Sequence, residues 1–140
     1  MPAYSSTPLA RKLGVKAQAR VALLQAPEDF TAKLGELPAG VTLRRRVAGV
    51  RCDVIVAFNT RAAQLERRLP GLKARLTDAG GLWLAWPKRT SGVVTDLTEG
   101  TVRTMGLQVG LVDNKICAID DTWSGLRFVY RTADRPRAKV

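Results

Sequence analysis

The sequence contains no histidine among its 140 residues. That absence removes Ser-His-Asp and Cys-His catalysis, every histidine-ligated zinc, iron or copper site, and the usual neutral-pH general base. Cysteine is almost as scarce: Cys52 and Cys117 are the only two, 65 positions apart. Two thiolates cannot hold a four-thiolate zinc ion or an iron-sulfur cluster within one chain, and they do not form a secreted disulfide framework. Long apolar runs are missing as well. VIVAF and GLWLAWP are strand-length, far short of the roughly twenty residues a spanning helix needs. No apolar block of signal-peptide length follows the early charges of Met1–Arg11. These absences predict no catalytic metal, no membrane insertion and a cytoplasmic location.

What is present suits one globular domain over 1–140, with an apolar content of 46% and too few residues for two ordinary domains. Flexible ends are expected at about 1–6 and 132–140, where the chain is Pro/Ser/Ala-rich or basic and proline-containing. Lys and Arg number 23 against 12 Asp and Glu, a net charge of +11, which favours polyanionic partners. The charge is uneven: residues 1–75 carry 14 basic and 5 acidic side chains, and residues 76–140 carry 9 and 7.

The patterning predicts an α/β chain. Thr7 as cap, Pro8 at the first helical position and Gly14 as stop frame a short first helix. Strands are predicted at Arg20–Ala26, at Val41–Val47 near a sheet edge, at Cys52–Phe58 in the centre, and at Leu82–Pro87. A short helix is expected at Glu28–Leu34, where Glu28 and Asp29 suit the positive end. Between Thr60 and Leu76, the stripe Ala62, Leu65, Leu69, Leu72 and Leu76 predicts a helix that Pro70 and Gly71 kink or divide. A further helix is expected over residues 93–107, with Val93, Val94, Leu97, Val102 and Met105 packed. Leu111–Asp120 and Gly125–Arg131 read as a terminal antiparallel hairpin. Crossovers followed by a hairpin imply a three-layer Rossmann-like fold, its mostly parallel sheet carrying one reversed strand.

This order resembles a reduced class I methyltransferase fold over about residues 8–131. The segments TPLARKLGVK (7–16), WPKRTSG (86–92), TDLTEGTVR (95–103), GLVDNKICAID (110–120) and WSGLRFVYR (123–131) are similar to a family of small bacterial proteins carrying a domain of unknown function. That resemblance implies the fold and no particular reaction. Methyltransferases of this fold place a glycine-rich turn after the first strand, whereas Leu23–Phe30 contains no glycine. The four residues between the predicted strands 41–47 and 52–58 also leave no room for a helix-and-strand unit that the full fold carries there. No cofactor is therefore expected, with Asp29 as the one acid that could meet a ribose.

The loop WPKRTSG follows a predicted parallel strand, where open α/β sheets bind ligands. Lys88, Arg89, Ser91 and Gly92 are accordingly a candidate anion or ligand site, with the Gly92–Val94 amides at the next helix start, against the plainer reading of a solvated loop. Asp96 and Glu99 are expected to share a helical face, as an acid pair or as capping residues. Asp113, Asn114, Lys115, Trp123 and Ser124 are read as braces for the terminal strands, or as recognition residues. Both cysteines are expected to be buried, although Arg51 beside Cys52 could favour a thiolate. Trp83 and Trp86 should face opposite sides of the sheet. Arg44, Arg46, Arg51, Arg67, Arg68, Lys73 and Arg75, with Arg45, are the candidate basic interaction surface. The resulting expectation is a non-catalytic interaction or regulatory protein, not an enzyme, with an unidentified protein partner and homo-oligomers allowed. The alternatives are a nucleic-acid-associated protein and a divergent S-adenosylmethionine-dependent methyltransferase.

Overall fold

The computed structural model describes residues 8–134, so the expected cap Thr7 and most of both expected flexible ends lie outside the described residues. Six strands form one sheet: β1 (Arg20–Leu24), β2 (Thr42–Arg44), β3 (Cys52–Phe58), β4 (Leu76–Pro87), β5 (Leu111–Ala118) and β6 (Trp123–Tyr130). Their spatial order is β2-β1-β3-β4-β6-β5. Pairings from β2 to β4 are parallel, and β6 runs antiparallel to both of its neighbours. A mostly parallel sheet with one reversed strand is the expected architecture.

Central β3 is buried along nearly its whole length because each face of the sheet carries its own apolar layer. One face packs Ile55, Ala57, Leu84, Trp86 and Phe128 beneath α3 (Ala62–Ala74) and α4 (Glu99–Gln108). The other packs Val21, Leu23, Val54, Val56 and Trp83 beneath α1 (Leu9–Lys12) and α2 (Phe30–Lys33). Trp83 and Trp86 divide between these faces as their alternation requires, and both are buried. The Trp83 indole N–H donates to the Leu13 carbonyl at 2.9 Å, tying the sheet to the end of α1.

Several element boundaries depart from the expectations. Pro70 lies within a single helix, α3, instead of dividing it; Pro70 is exposed, so the backbone bond it cannot make falls on the solvent side. Strand β4 begins at Leu76, six residues early, because Leu76 pairs with Cys52 before a bulge restores register at Val54 and Gly81. The helix expected over 93–107 begins only at Glu99. Gly92 is left-handed at φ +81°, Val94 is 88% exposed, and the Thr98 hydroxyl accepts the Thr101 N–H as the true cap. Val93 and Val94 therefore contribute no packed helical face. Residues 132–134, expected to be flexible, form a short 3-10 turn.

The connection from β2 to β3 is the most consequential feature. These strands are parallel and lie on either side of β1, yet residues 45–51 join them with no helix. Parallel crossovers ordinarily take a dozen or more residues and a helix. Val47 and Val50 cover part of the helix-bearing face in its place.

Candidate functional site

The chain leaves β1 toward β2 through α2 on one face, and leaves β3 toward β4 through α3 on the other. The carboxyl ends of β1 and β3 are therefore the topological switch point, the crevice at which open α/β sheets bind ligands. Two turns meet there, Gln25–Asp29 from β1 and Asn59–Arg61 from β3.

Gln25 adopts φ +57°, a left-handed conformation that glycine usually supplies. Its side-chain oxygen accepts a 2.9 Å hydrogen bond from Gln64 on α3. Glu28 is exposed. Asp29 occupies the cap position of α2 without making a side-chain capping bond, contrary to the capping expectation; its carboxylate is 65% exposed and lies 3.5 Å from Lys33. Asn59 is the buried polar side chain of the crevice, at 1% exposure. Its amide donates to the Ala57 carbonyl at 2.9 Å and its oxygen accepts from Arg68 at 2.6 Å. Arg68 is itself partly buried, which pushes its guanidinium below the usual value, and it also reaches the Phe58 carbonyl.

Asp96 does not share a helical face with Glu99. It stands before α4 and caps α3, accepting the Ala62 N–H at 2.7 Å, while Thr95 donates to the Thr60 carbonyl at 2.6 Å. Segment 95–97 thereby closes over the start of α3. Glu99 belongs to a different network, in which Arg103 bonds it at 2.9 Å and Asp113 at 3.0 Å.

The 88–92 loop separates the residues expected to act together. Lys88 and Arg89 line a cavity of about 590 Å³ beyond the carboxyl end of β4, with Trp86, Thr98, Glu99 and Ser124. Ser91 is engaged within the loop, donating to the Lys88 carbonyl at 2.7 Å and accepting from the Val93 N–H at 3.1 Å. Gly92 supplies the turn, and the Gly92–Val94 amides precede α4 by several residues, so they form no helix-start anion site.

The expected basic surface also divides. Arg46, Arg67, Arg68 and Arg75, with Arg45, line one groove beside α3. Lys73 turns to the far end of α4, donating to the Val109 carbonyl at 2.7 Å; Arg44 reaches the Arg46 carbonyl, and the Arg51 carbonyl accepts from Arg20. Of the expected strand braces, Lys115 reaches the Lys12 carbonyl, Asp113 pairs instead with Arg103, and Asn114 sits exposed where the β5–β6 register shifts. Trp123 packs edge-on against Phe58, with centroids 5.0 Å apart. Cys52 and Cys117 are buried in opposite face layers. Burial pushes the Cys52 thiol up, against partial relief from Arg20 and Arg44.

Sequence reading missed Gln25, Gln64 and Asn59. A polar residue directly after each of two buried strands was the available signal.

No protein-family model and no curated protein matches the chain. Solved structures do. The fold is similar to that of a SAM-dependent methyltransferase from Aquifex aeolicus, with TM-score 0.61 at 13% identity over 84% of this chain and 85% of that one. It is similar also to a TehB-like SAM-dependent methyltransferase from Corynebacterium glutamicum, with TM-score 0.58 at 11% identity over 92% and 90%. Fibrillarin from Aeropyrum pernix, solved with natively bound S-adenosyl-L-methionine, matches with TM-score 0.55 at 15% identity over 86% and 73%. The small bacterial family gains no support from these comparisons; the methyltransferase-like fold does. The expectation that the chain is not an enzyme is corrected by the same matches, since the fold it shares with them is one that methyltransferases carry. At these identities the likeness establishes the fold, a reduced form of the class I methyltransferase fold.

Proposed function

We propose that this chain is a divergent S-adenosylmethionine-dependent methyltransferase whose methyl donor binds over the carboxyl ends of β1 and β3. The observation carrying this reading is the left-handed Gln25 at the switch point, where the backbone takes the bend that a glycine would otherwise provide. The donor's ribose hydroxyls and ammonium group need acceptors, which the exposed Glu28 and Asp29 carboxylates supply. When bound, the cofactor supplies a methyl group on an electrophilic sulfonium. The chain's own contribution is to orient that group toward the cavity beyond β4, where Lys88 and Arg89 meet an acceptor bearing negative charge. Asn59 and Arg68 hold the floor of the crevice through their mutual hydrogen bond and the carbonyls of Ala57 and Phe58.

Calorimetric titration with S-adenosylmethionine and S-adenosylhomocysteine tests the reading. One-to-one binding that weakens at least fivefold in Asp29→Ala is expected. Folded protein that binds neither compound at millimolar concentration overturns it.

A further inference from the structure

The missing helix between β2 and β3 leaves a groove on the α3 side of the sheet, bounded by the 45–51 connection and by α3. Half-buried Val47 gives it an apolar contact above the core residues Leu24 and Leu72, and Arg45, Arg46, Arg67, Arg68 and Arg75 surround them in a cavity of about 570 Å³. No carboxylate lines this groove. Among the described residues, the ion pairs of Lys33 and Arg103 involve no arginine of the groove. Arg68 is turned inward to Asn59, whereas Arg45, Arg46 and Arg67 are exposed. Helix α3 has the same imbalance in its sequence: Glu66 is its one acid, against Arg67, Arg68 and Lys73.

We propose that this groove binds single-stranded nucleic acid. Arginines on both rims can take phosphates along an extended backbone, and their planar guanidinium groups can also stack on bases. The guanidinium planes receive a base face, which a duplex keeps inside its own stack. A concave groove bordered by a helix on one side and a short connection on the other suits one strand better than a double helix. An acidic peptide would meet the same charges, but its carboxylates offer no flat ring for the guanidinium planes to stack on. The groove borders the proposed donor crevice and shares Gln25 and Arg68 with it, but the inference rests on the groove's arginines and not on methyl transfer, and its test contains no methyl donor.

Fluorescence anisotropy with a labelled 12-nucleotide uridine strand gives the measurement. With four phosphates neutralised, affinity should fall about 50-fold between about 50 and 200 mM salt. The double variant Arg46→Glu/Arg67→Glu should lose at least tenfold in affinity. Arg11→Glu/Lys16→Glu, carrying the same charge change on exposed residues away from the groove, should lose less than threefold. Both variants are compared by thermal melting, and Arg46→Gln/Arg67→Gln replaces the charge reversal should that variant fail to fold.

Absence of binding at 50 mM salt overturns the proposal. Equal losses in the two charge-reversal variants overturn it in favour of attraction by net charge alone. A 12-base-pair duplex that binds as tightly as the single strand overturns the groove assignment, and polyglutamate competing at equal charge favours an acidic protein partner instead.

Discussion

Gln25 and Asp120 show how single residues set the geometry on either side of the sheet. A left-handed glutamine carries a steric cost of about 1–2 kcal/mol that glycine escapes, set against glycine's larger loss of chain entropy. Gln25→Gly should therefore be mildly stabilising, by about 0.5 kcal/mol after loss of the exposed Gln64 bond, as measured by chemical denaturation. It should also tighten S-adenosylmethionine binding, because the backbone can then approach without a side chain in the way. Asp120 organises the β5–β6 turn: one carboxylate oxygen accepts the Thr122 and Trp123 N–H groups at 2.8 Å each, and the other meets Lys33 at 2.9 Å. Burial pushes this carboxyl up, but the Lys33 ammonium and the two amides outweigh it and hold the group below its ordinary value. A depressed folded-state value means that its stabilisation is present above the unfolded carboxylate value and lost as pH falls through the folded one. Asp120→Ala should cost about 1–3 kcal/mol at neutral pH, with the gap to the parent chain narrowing in denaturation series carried below the ordinary carboxylate range.

At the level of elements, close approach of α4 to the sheet depends on Gly106. A Cβ at this position would overlap the ring of Phe128 on β6, and both residues are buried. Gly106→Ala gains helix propensity but must displace a core ring, so a net destabilisation of about 1–3 kcal/mol is expected from thermal or chemical unfolding. Gly106→Ala with Phe128→Leu should recover part of that loss, because the smaller side chain vacates the overlap. The 93–107 segment illustrates why helix limits were only partly legible. Its apolar spacing suited a helix from Val93, but left-handed Gly92 and the hydroxyls of Thr95 and Thr98 give the backbone other hydrogen-bond partners and delay the start to Glu99. In α3 the reverse holds, since the buried stripe of Leu65, Leu69 and Leu72 carries one helix through Pro70.

At the scale of the whole molecule, shortening the β2–β3 crossover removes a covering helix and exposes an arginine-lined groove, while β1 and β3 still meet at a switch point. Among the described residues no helix is long and apolar enough to cross a membrane. The sequence by itself determined the alternation of strands and helices, the buried centre at Cys52–Phe58, the reversed terminal strand and the excess of positive charge, because each is written in local periodicity or simple counts. The excluded chemistries were legible in the same way, since absent histidines cannot be restored by folding. Tertiary structure alone decided which charges act together. Lys73 lies on the same helix as Arg67 and Arg68 yet turns to α4, Ser91 is consumed within its own loop, and Asp96 caps a helix that begins 34 residues before it. Sequence spacing carries no information about these partners, because a long or polar side chain takes the hydrogen bond that packing brings within reach, and packing joins residues far apart along the chain.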